Sequence, residues 1–222
     1  MDKLTLCIPT GRLKDETIVL LSKMPSWPPD FNLNSRKLIF EDQSLPWNII
    51  LSHPKDSSTY VEFGAADIGI VGKDILQERG NEVYELCDLQ IGICQMVVAG
   101  PENLTAADLF GKDSLRIATK YPNITRRYLQ EKGLNADILY LYGSIELAPV
   151  IHLTDAIIDL VSTGKTLRDN KLKIIEELFP VSARLVANRI SIKTKMESIF
   201  SFVQQLKGVC LLYTSPSPRD RG

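Results

Sequence analysis

Apolar residues recur along this chain in two alternating patterns. Short runs rich in Val, Ile and Leu give way to stretches in which apolar positions return every three or four residues, the signature of strands followed by amphipathic helices. Leu4–Pro9 predicts a first strand, and Leu13, Thr17, Leu20, Leu21 and Met24 predict a helix over residues 13–23 that ends at Pro25, Pro28 and Pro29. Leu38–Phe40 and Trp47–Leu51 read as strands, and Thr59 with Glu62 fits a capping box. Asp67–Val71 is an apolar strand turning at Gly72-Lys73-Asp74 into a helix over Ile75–Arg79, with further strands at Val83–Cys87 and Ile91–Ala99.

A second set follows a turn-rich seam at Gly100-Pro101-Glu102-Asn103. It runs strand Leu115–Thr119, helix Pro122–Lys132 with proline in its first turn, strand Ile138–Leu141, helix Ile145–Leu153, strand Ala156–Val161 and helix Thr166–Asn170. Strands near Ile174–Leu178 and at Ala183–Ala187 precede a last helix from about Ser191 to Leu206. This alternation predicts an α/β protein with largely parallel sheets and helices on both faces. Two lobes are expected, residues 1–90 plus 182–208 and residues 91–181, with residues 209–222 a Ser/Pro/Arg-rich disordered tail that looks non-native.

The 222 residues are 44% apolar and 24% charged, enough to bury a core without disulfides or metal. A formal charge of -1 provides no global basic field for nucleic acid or an anionic membrane, although a local basic pocket remains open. The N-terminus lacks a signal-peptide pattern and no run suits a membrane span, so a cytoplasmic location is expected. The 4 cysteines and 2 histidines show no metal-ligand spacing; Cys7, Cys87 and Cys94 read as buried reduced thiols, and Cys210 as an exposed one.

The richest chemistry lies in Asp155–Leu167. An apolar strand delivers Asp159, and Ser162, Thr163, Gly164, Lys165 and Thr166 then open a helix. Backbone N–H groups at such a turn point toward an anion, Gly164 lets the chain close around a phosphate, the hydroxyls add donors and Lys165 a positive charge. The Asp159 carboxylate is an acceptor for ribose hydroxyls. Gly164-Lys165-Thr166 is no Walker loop, because Asp159 stands where the first glycine belongs and would repel a triphosphate. An ordinary capped β–α turn has the same residue types. Glu146, in Gly143-Ser144-Ile145-Glu146-Leu147-Ala148-Pro149, either stabilises a helix start or joins Asp159 around a ribose or a magnesium-bound diphosphate. Gly11 permits close approach after the first strand, where Arg12 is either a phosphate clamp or a surface residue.

Taken in order, Gly11-Arg12-Leu13, Thr59–Asp74, Ala118–Asn123, Gly143–Pro149, Asp155–Leu167 and Ala187-Asn188-Arg189 resemble the ATP phosphoribosyltransferase family, which catalyses the first step of histidine biosynthesis. The resemblance implies a two-lobed type II periplasmic-binding-protein-like fold with an interlobe active-site cleft. It implies attack of N1 of ATP on C1 of phosphoribosyl diphosphate, with pyrophosphate leaving. Magnesium would travel on the substrate diphosphate, without dedicated protein ligands. Ser162, Thr163, Gly164, Lys165 and Thr166 would cradle the 5′-phosphate, Asp159 and Glu146 would hold the ribose hydroxyls, and Gly11, Arg12 and Lys55 would lie on the ATP side. The length resembles the short form, which works with a regulatory subunit similar to histidyl-tRNA synthetase. Two positions depart from the family: Thr10 stands where a lysine is usual and His53 where an arginine is, both on the ATP side. A non-catalytic solute-binding module of the same architecture is the competing expectation, since fold alone does not separate the two.

Overall fold

The computed structural model describes residues 3–29, 31, 33, 35–112 and 114–213, the side chains of 210–213 excepted. The chain opens with β1 (Leu4–Pro9), α1 (Arg12–Leu21), β2 (Ile39–Phe40), β3 (Trp47–Ser52), α2 (Ser57–Glu62), β4 (Ile68–Gly72), α3 (Lys73–Arg79) and β5 (Tyr84–Asp88). It continues with β6 (Cys94–Pro101), α4 (Ala106–Phe110), β7 (Leu115–Thr119), α5 (Pro122–Lys132), β8 (Ala136–Tyr140), α6 (Leu147–Val150), β9 (Ala156–Val161), α7 (Lys165–Asp169) and β10 (Leu172–Val181). The last elements are β11 (Ala183–Ala187), α8 (Ser191–Thr194) and α9 (Met196–Tyr213). They form two compact units. The first takes the described residues up to Leu76, Gly80–Gly92 and those from Ser182 onward; the second takes Gln77–Arg79 and Ile93–Val181.

The first unit is a sheet of order β2-β3-β1-β4-β11-β5, and the second a sheet of order β10-β6-β9-β7-β8. Neither is largely parallel, contrary to the expectation from βαβ alternation. The β3-β1-β4 and β8-β7-β9 cores are parallel, but β11 runs antiparallel to both β4 and β5, and β6 antiparallel to both β9 and β10. The cause lies in connectivity. β6 follows β5 of the first unit and β11 follows β10 of the second, and in each sheet the strand arriving from the other unit lies between two strands that an αβ crossover makes parallel to each other, β9-α7-β10 around β6 and β4-α3-β5 around β11.

Both cores rest on strands buried on two faces, which explains the unbroken apolar runs. In the first unit Leu6, Ile8, Ile49, Ile68, Ile70 and Leu185 meet Leu20 and Leu21 of α1 and Phe202 and Leu206 of α9. In the second, Val97, Ala99, Ala118 and Ile157 pack against Ile145, Ala148, Leu167 and Leu172. Gly69 in β4 has a packing reason, because a Cβ there would stand 2.5 Å from Cγ2 of Val61 in α2.

Several boundaries differ from the sequence reading. β6 runs straight through Gly100 and Pro101, which read as a turn-rich seam, and the first unit ends at Gly92, two residues past the expected lobe boundary. α2 begins at Ser57, which places Thr59 inside the helix; Glu62 accepts instead from Nδ2 of Asn81 at 2.6 Å and N–H of Glu82 at 2.8 Å. Cys87 and Cys94 are only partly buried, whereas Cys7 is buried. The last helix is two, and α9 continues to Tyr213 with Val209 in the core, so helix replaces the expected tail at residues 209–213. The side chain of Cys210 and residues 214–222, the rest of that tail, lie outside the described residues.

Asp67, just before β4, ties the first unit together. Its Oδ2 accepts from Thr5 N–H at 2.8 Å and from Nζ of Lys195 at 2.9 Å, and its Oδ1 from the Ser191 hydroxyl at 2.7 Å. Burial pushes the carboxyl up, but these hydrogen bonds outweigh it and hold the group below the ordinary aspartate value. A lowered carboxyl contributes stability above its unfolded-state value and loses it as pH falls through the folded-state value. Asp67→Ala is expected to lower unfolding stability by about 3 kcal/mol in urea titrations at neutral pH. The gap to the parent should close only in acid below the ordinary aspartate range.

Candidate functional site

The second unit gathers its polar chemistry at the C-terminal end of β9. The parallel register pairs Thr119 of β7 with Ile158 of β9, so the next residues, Lys120 and Asp159, come level on neighbouring strands. Thr119 fixes that end: its buried hydroxyl donates to the Ile158 carbonyl at 2.8 Å and accepts from Tyr121 N–H at 2.9 Å. Nζ of Lys120 then reaches Oδ2 of Asp159 at 3.1 Å. Asp159 is only 8% exposed. Burial raises its carboxyl above the ordinary aspartate value, Lys120 and the Leu160 N–H pull it back, and the charge of Glu146 pushes it up again.

Beyond Asp159 the chain leaves the sheet through Ser162, Thr163 and Gly164 into α7. Gly164 adopts φ 67, the left-handed region, and a Cβ there would stand 3.0 Å from Nη1 of Arg168. The Thr163 hydroxyl accepts from Lys165 N–H at 3.4 Å. Together with Glu146, residues from Asp159 to Thr166 line a cavity of about 220 Å³. Ser162, Thr163, Lys165 and Thr166 are exposed to solvent. The structure therefore brings together Glu146, Asp159, Ser162, Thr163, Gly164, Lys165 and Thr166. With donors on one side and two carboxylates on the other, the cavity suits a phosphorylated polyol.

Two details revise the sequence reading. Asp155 sits at the opposite end of β9, where it accepts from Nζ of Lys112 at 2.6 Å and Arg116 N–H at 2.8 Å; its role is to hold the strand. Glu146 precedes a helix of only 4 residues, α6, not the longer one expected. His152 turns to φ 58 just past its end, and so short a helix has little dipole for Glu146 to stabilise. Lys120 is the residue that sequence reasoning missed. It stood inside the quoted Ala118–Asn123 stretch, one position past a strand end, but only the register reveals its partner.

Gly11, Arg12 and Lys55 belong to the first unit. Gly11 caps α1 at φ 78, and Arg12 is exposed, with Nε 3.4 Å from Oε1 of Glu16. The Pro9–Arg12 and Ser52–Lys55 loops leave the paired strands β1 and β3 side by side, joined by Thr10 N–H donating to the Ser52 carbonyl at 2.8 Å. Nδ1 of His53 accepts from Lys55 N–H at 3.3 Å, which gives the histidine a loop-shaping contact. Thr10 and His53 are thus neighbours, and the two departures fall on one edge of one sheet.

No group of three or more His, Cys, Asp or Glu side chains suited to a metal ion occurs among the described residues, and one of the two carboxylates at the cavity is already paired with Lys120.

Comparison with known proteins gives a consistent result. The ATP phosphoribosyltransferase family model matches residues 53–208. An ATP phosphoribosyltransferase of Caldanaerobacter subterraneus subsp. tengcongensis is 44% identical over 209 residues, covering 94% of this chain and 98% of that one. One from Syntrophotalea carbinolica is 43% identical over 209 residues, covering 94% and 95%. Among solved structures, the ATP phosphoribosyl transferase (HisG:HisZ) complex from Thermotoga maritima superposes with a TM-score of 0.80 at 35% identity, covering 93% of this chain and 98% of that chain. The alkanesulfonate-binding protein SsuA from Xanthomonas axonopodis pv. citri gives 0.54 at 14% identity over 93% and 72%, a likeness of fold alone, and that fold is the type II periplasmic-binding-protein one.

The raised carboxyl of Asp159 has a consequence for stability. A carboxyl raised on folding favours the fold below its unfolded-state value, and that contribution is lost as pH rises through the folded-state value. Ionised Asp159 therefore costs stability at neutral pH. Asp159→Asn should raise the melting temperature at pH 7, and the difference from the parent should vanish in acid below the ordinary aspartate range. A variant that melts lower at pH 7 would contradict this.

Proposed function

The chain belongs to the ATP phosphoribosyltransferase family, and from that premise we propose that the cavity at the end of β9 is its phosphoribosyl diphosphate site. The activity of the family is the first step of histidine biosynthesis: the phosphoribosyl group passes from phosphoribosyl diphosphate to N1 of ATP, giving phosphoribosyl-ATP and pyrophosphate. The observation that carries the site assignment is the single cavity wall formed by Glu146, Asp159 and the Ser162–Thr166 loop.

In this reading the N–H groups and hydroxyls of Ser162, Thr163, Gly164 and Thr166, with Lys165, hold the 5′-phosphate. Asp159, kept anionic by Lys120, accepts from the ribose hydroxyls, and Glu146 does the same from the other side. C1 gains positive charge as its bond to diphosphate weakens, and two nearby carboxylates favour that charge. N1 of adenine carries a free lone pair, so the attack needs orientation rather than a general base. Gly11, Arg12 and Lys55 serve ATP, with Arg12 offering its guanidinium to phosphate oxygens in place of Glu16. Magnesium carried on the substrate would supply the charge that neutralises the leaving diphosphate.

The assembly follows from the relatives. The matches span 95–98% of the curated relatives' own lengths, so those proteins have the short form's size, and the Thermotoga protein occurs with a second kind of subunit. This chain is accordingly the catalytic partner of a subunit similar to histidyl-tRNA synthetase. No helix among the described residues is long and apolar enough to cross a membrane, which agrees with work in the cytoplasm, where both substrates are made.

The test is an assay of the purified chain, with and without the synthetase-like subunit, given ATP, phosphoribosyl diphosphate and magnesium. Phosphoribosyl-ATP should accumulate, and Asp159→Asn and Thr163→Ala should each raise KM for phosphoribosyl diphosphate by about tenfold or more with KM for ATP little changed. Equal loss of both substrates would overturn the site assignment.

A further inference from the structure

Resting on the phosphoribosyl reading of the Asp159 loop, we propose that Lys120 is a positioning residue for the reaction: it holds Oδ2 of Asp159 and so orients the carboxylate to accept from the ribose hydroxyls. Lys120 is not among the residues that line the cavity, whereas Asp159 and Glu146 are, and it meets the carboxylate at 3.1 Å. It acts through Asp159 and does not touch the substrate.

The backbone prepares this arrangement. Thr119, fully buried, ties β7 to β9 through the Ile158 carbonyl and ties its own chain to Tyr121 N–H, so the residue between is held from both sides. The Asp159 side chain is 11% exposed and that of Lys120 26% exposed. At that depth solvent screens the pair weakly, and an aspartate without its ammonium partner would be driven toward the neutral acid. A protonated carboxyl would also spend one oxygen as a donor, where the ribose hydroxyls need acceptors. The other lysine–aspartate pair of this strand, Lys112 with Asp155, lies at its far end and is not part of that cavity's wall. A merely structural pair would suit that end as well as this one; what sets Lys120 apart is the cavity that its partner lines.

The charged groups facing Asp159 are Lys120 from the end of β7, Glu146 ahead of α6 and Lys165 from the start of α7. Removing Lys120 leaves burial and Glu146, both of which raise the carboxyl, opposed by fewer groups. The acid limb of kcat/KM for phosphoribosyl diphosphate should then move to higher pH, since that limb reports the free enzyme.

The experiment uses the chain with its regulatory subunit and compares Lys120→Met, Lys120→Arg, Asp159→Asn and the double variant Lys120→Met/Asp159→Asn, with melting temperatures measured alongside. Lys120→Met is expected to raise KM for phosphoribosyl diphosphate about tenfold, leave KM for ATP unchanged and shift the acid limb upward. Lys120→Arg should recover most of the loss and keeps the charge should the methionine variant fold poorly. The double variant should be no worse than Asp159→Asn alone. Equal loss of both substrates, an acid limb that stays in place, or losses that multiply in the double variant would overturn the proposal. If Asp159→Asn itself left phosphoribosyl diphosphate use intact, the loop assignment would fall; a sensitive Asp159 beside an indifferent Lys120 would sink the positioning role alone.

Discussion

The second unit is organised around one requirement: a carboxylate must stay ionised while almost hidden from water at the end of β9. Asp159 meets it with Lys120 at 3.1 Å, the Leu160 N–H and the level register of two parallel strands. Everything next to it serves the same end. Thr119 locks the strand ends, Gly164 turns the chain in a conformation that disfavours a side chain, and Asp155 anchors the start of the strand with Lys112. The arrangement weakens the fold locally, since burial raises the Asp159 carboxyl, and it is tolerable because the apolar cluster of Val97, Ala118, Ile157 and Leu167 packs directly behind the loop.

The first unit is organised by a different aspartate with the opposite electrostatic outcome. Asp67 is as buried as Asp159, yet three donors hold its carboxyl low. The pair shows how the same residue type is assigned to architecture or to chemistry by its neighbours. A saturated aspartate holds elements together; an undersaturated one beside a cavity has capacity left for a ligand. Asn188 belongs with the first kind, since it donates to the carbonyls of Val61 and Glu62 and accepts from Ile190 and Ser191 N–H.

The sequence was most legible where local physics decides. β7, α5, β9 and β11 begin and end where apolar period, Pro122 and the polar loops say they should. The order Asp159, Ser162, Thr163, Gly164, Lys165, Thr166 was readable as a strand-to-helix turn rich in consecutive donors, and those residues line one cavity. Strand direction was not readable, because nothing in an apolar run says which neighbour it will meet; β6 and β11 were inserted antiparallel by the path of the chain. Lys120 escaped notice for the same reason, its partner being 39 residues away and visible only through register. The span of α6, the true start of α2 and the continuation of β6 through Gly100-Pro101 were set by tertiary contacts that override turn propensity. Thr10 and His53 read as separate departures in the sequence, and the pairing of β1 with β3 sets them side by side.

The central claim, that the loop from Asp159 to Thr166 receives the phosphoribosyl group, is tested most directly by amide hydrogen exchange of the chain with and without saturating magnesium phosphoribosyl diphosphate. The N–H groups of residues 162–166 should become strongly protected on binding, and Asp159→Asn should lose that protection at the same concentration. Protection confined to residues 9–12 and 52–55, with the 162–166 amides exchanging as in the free protein, would contradict the account.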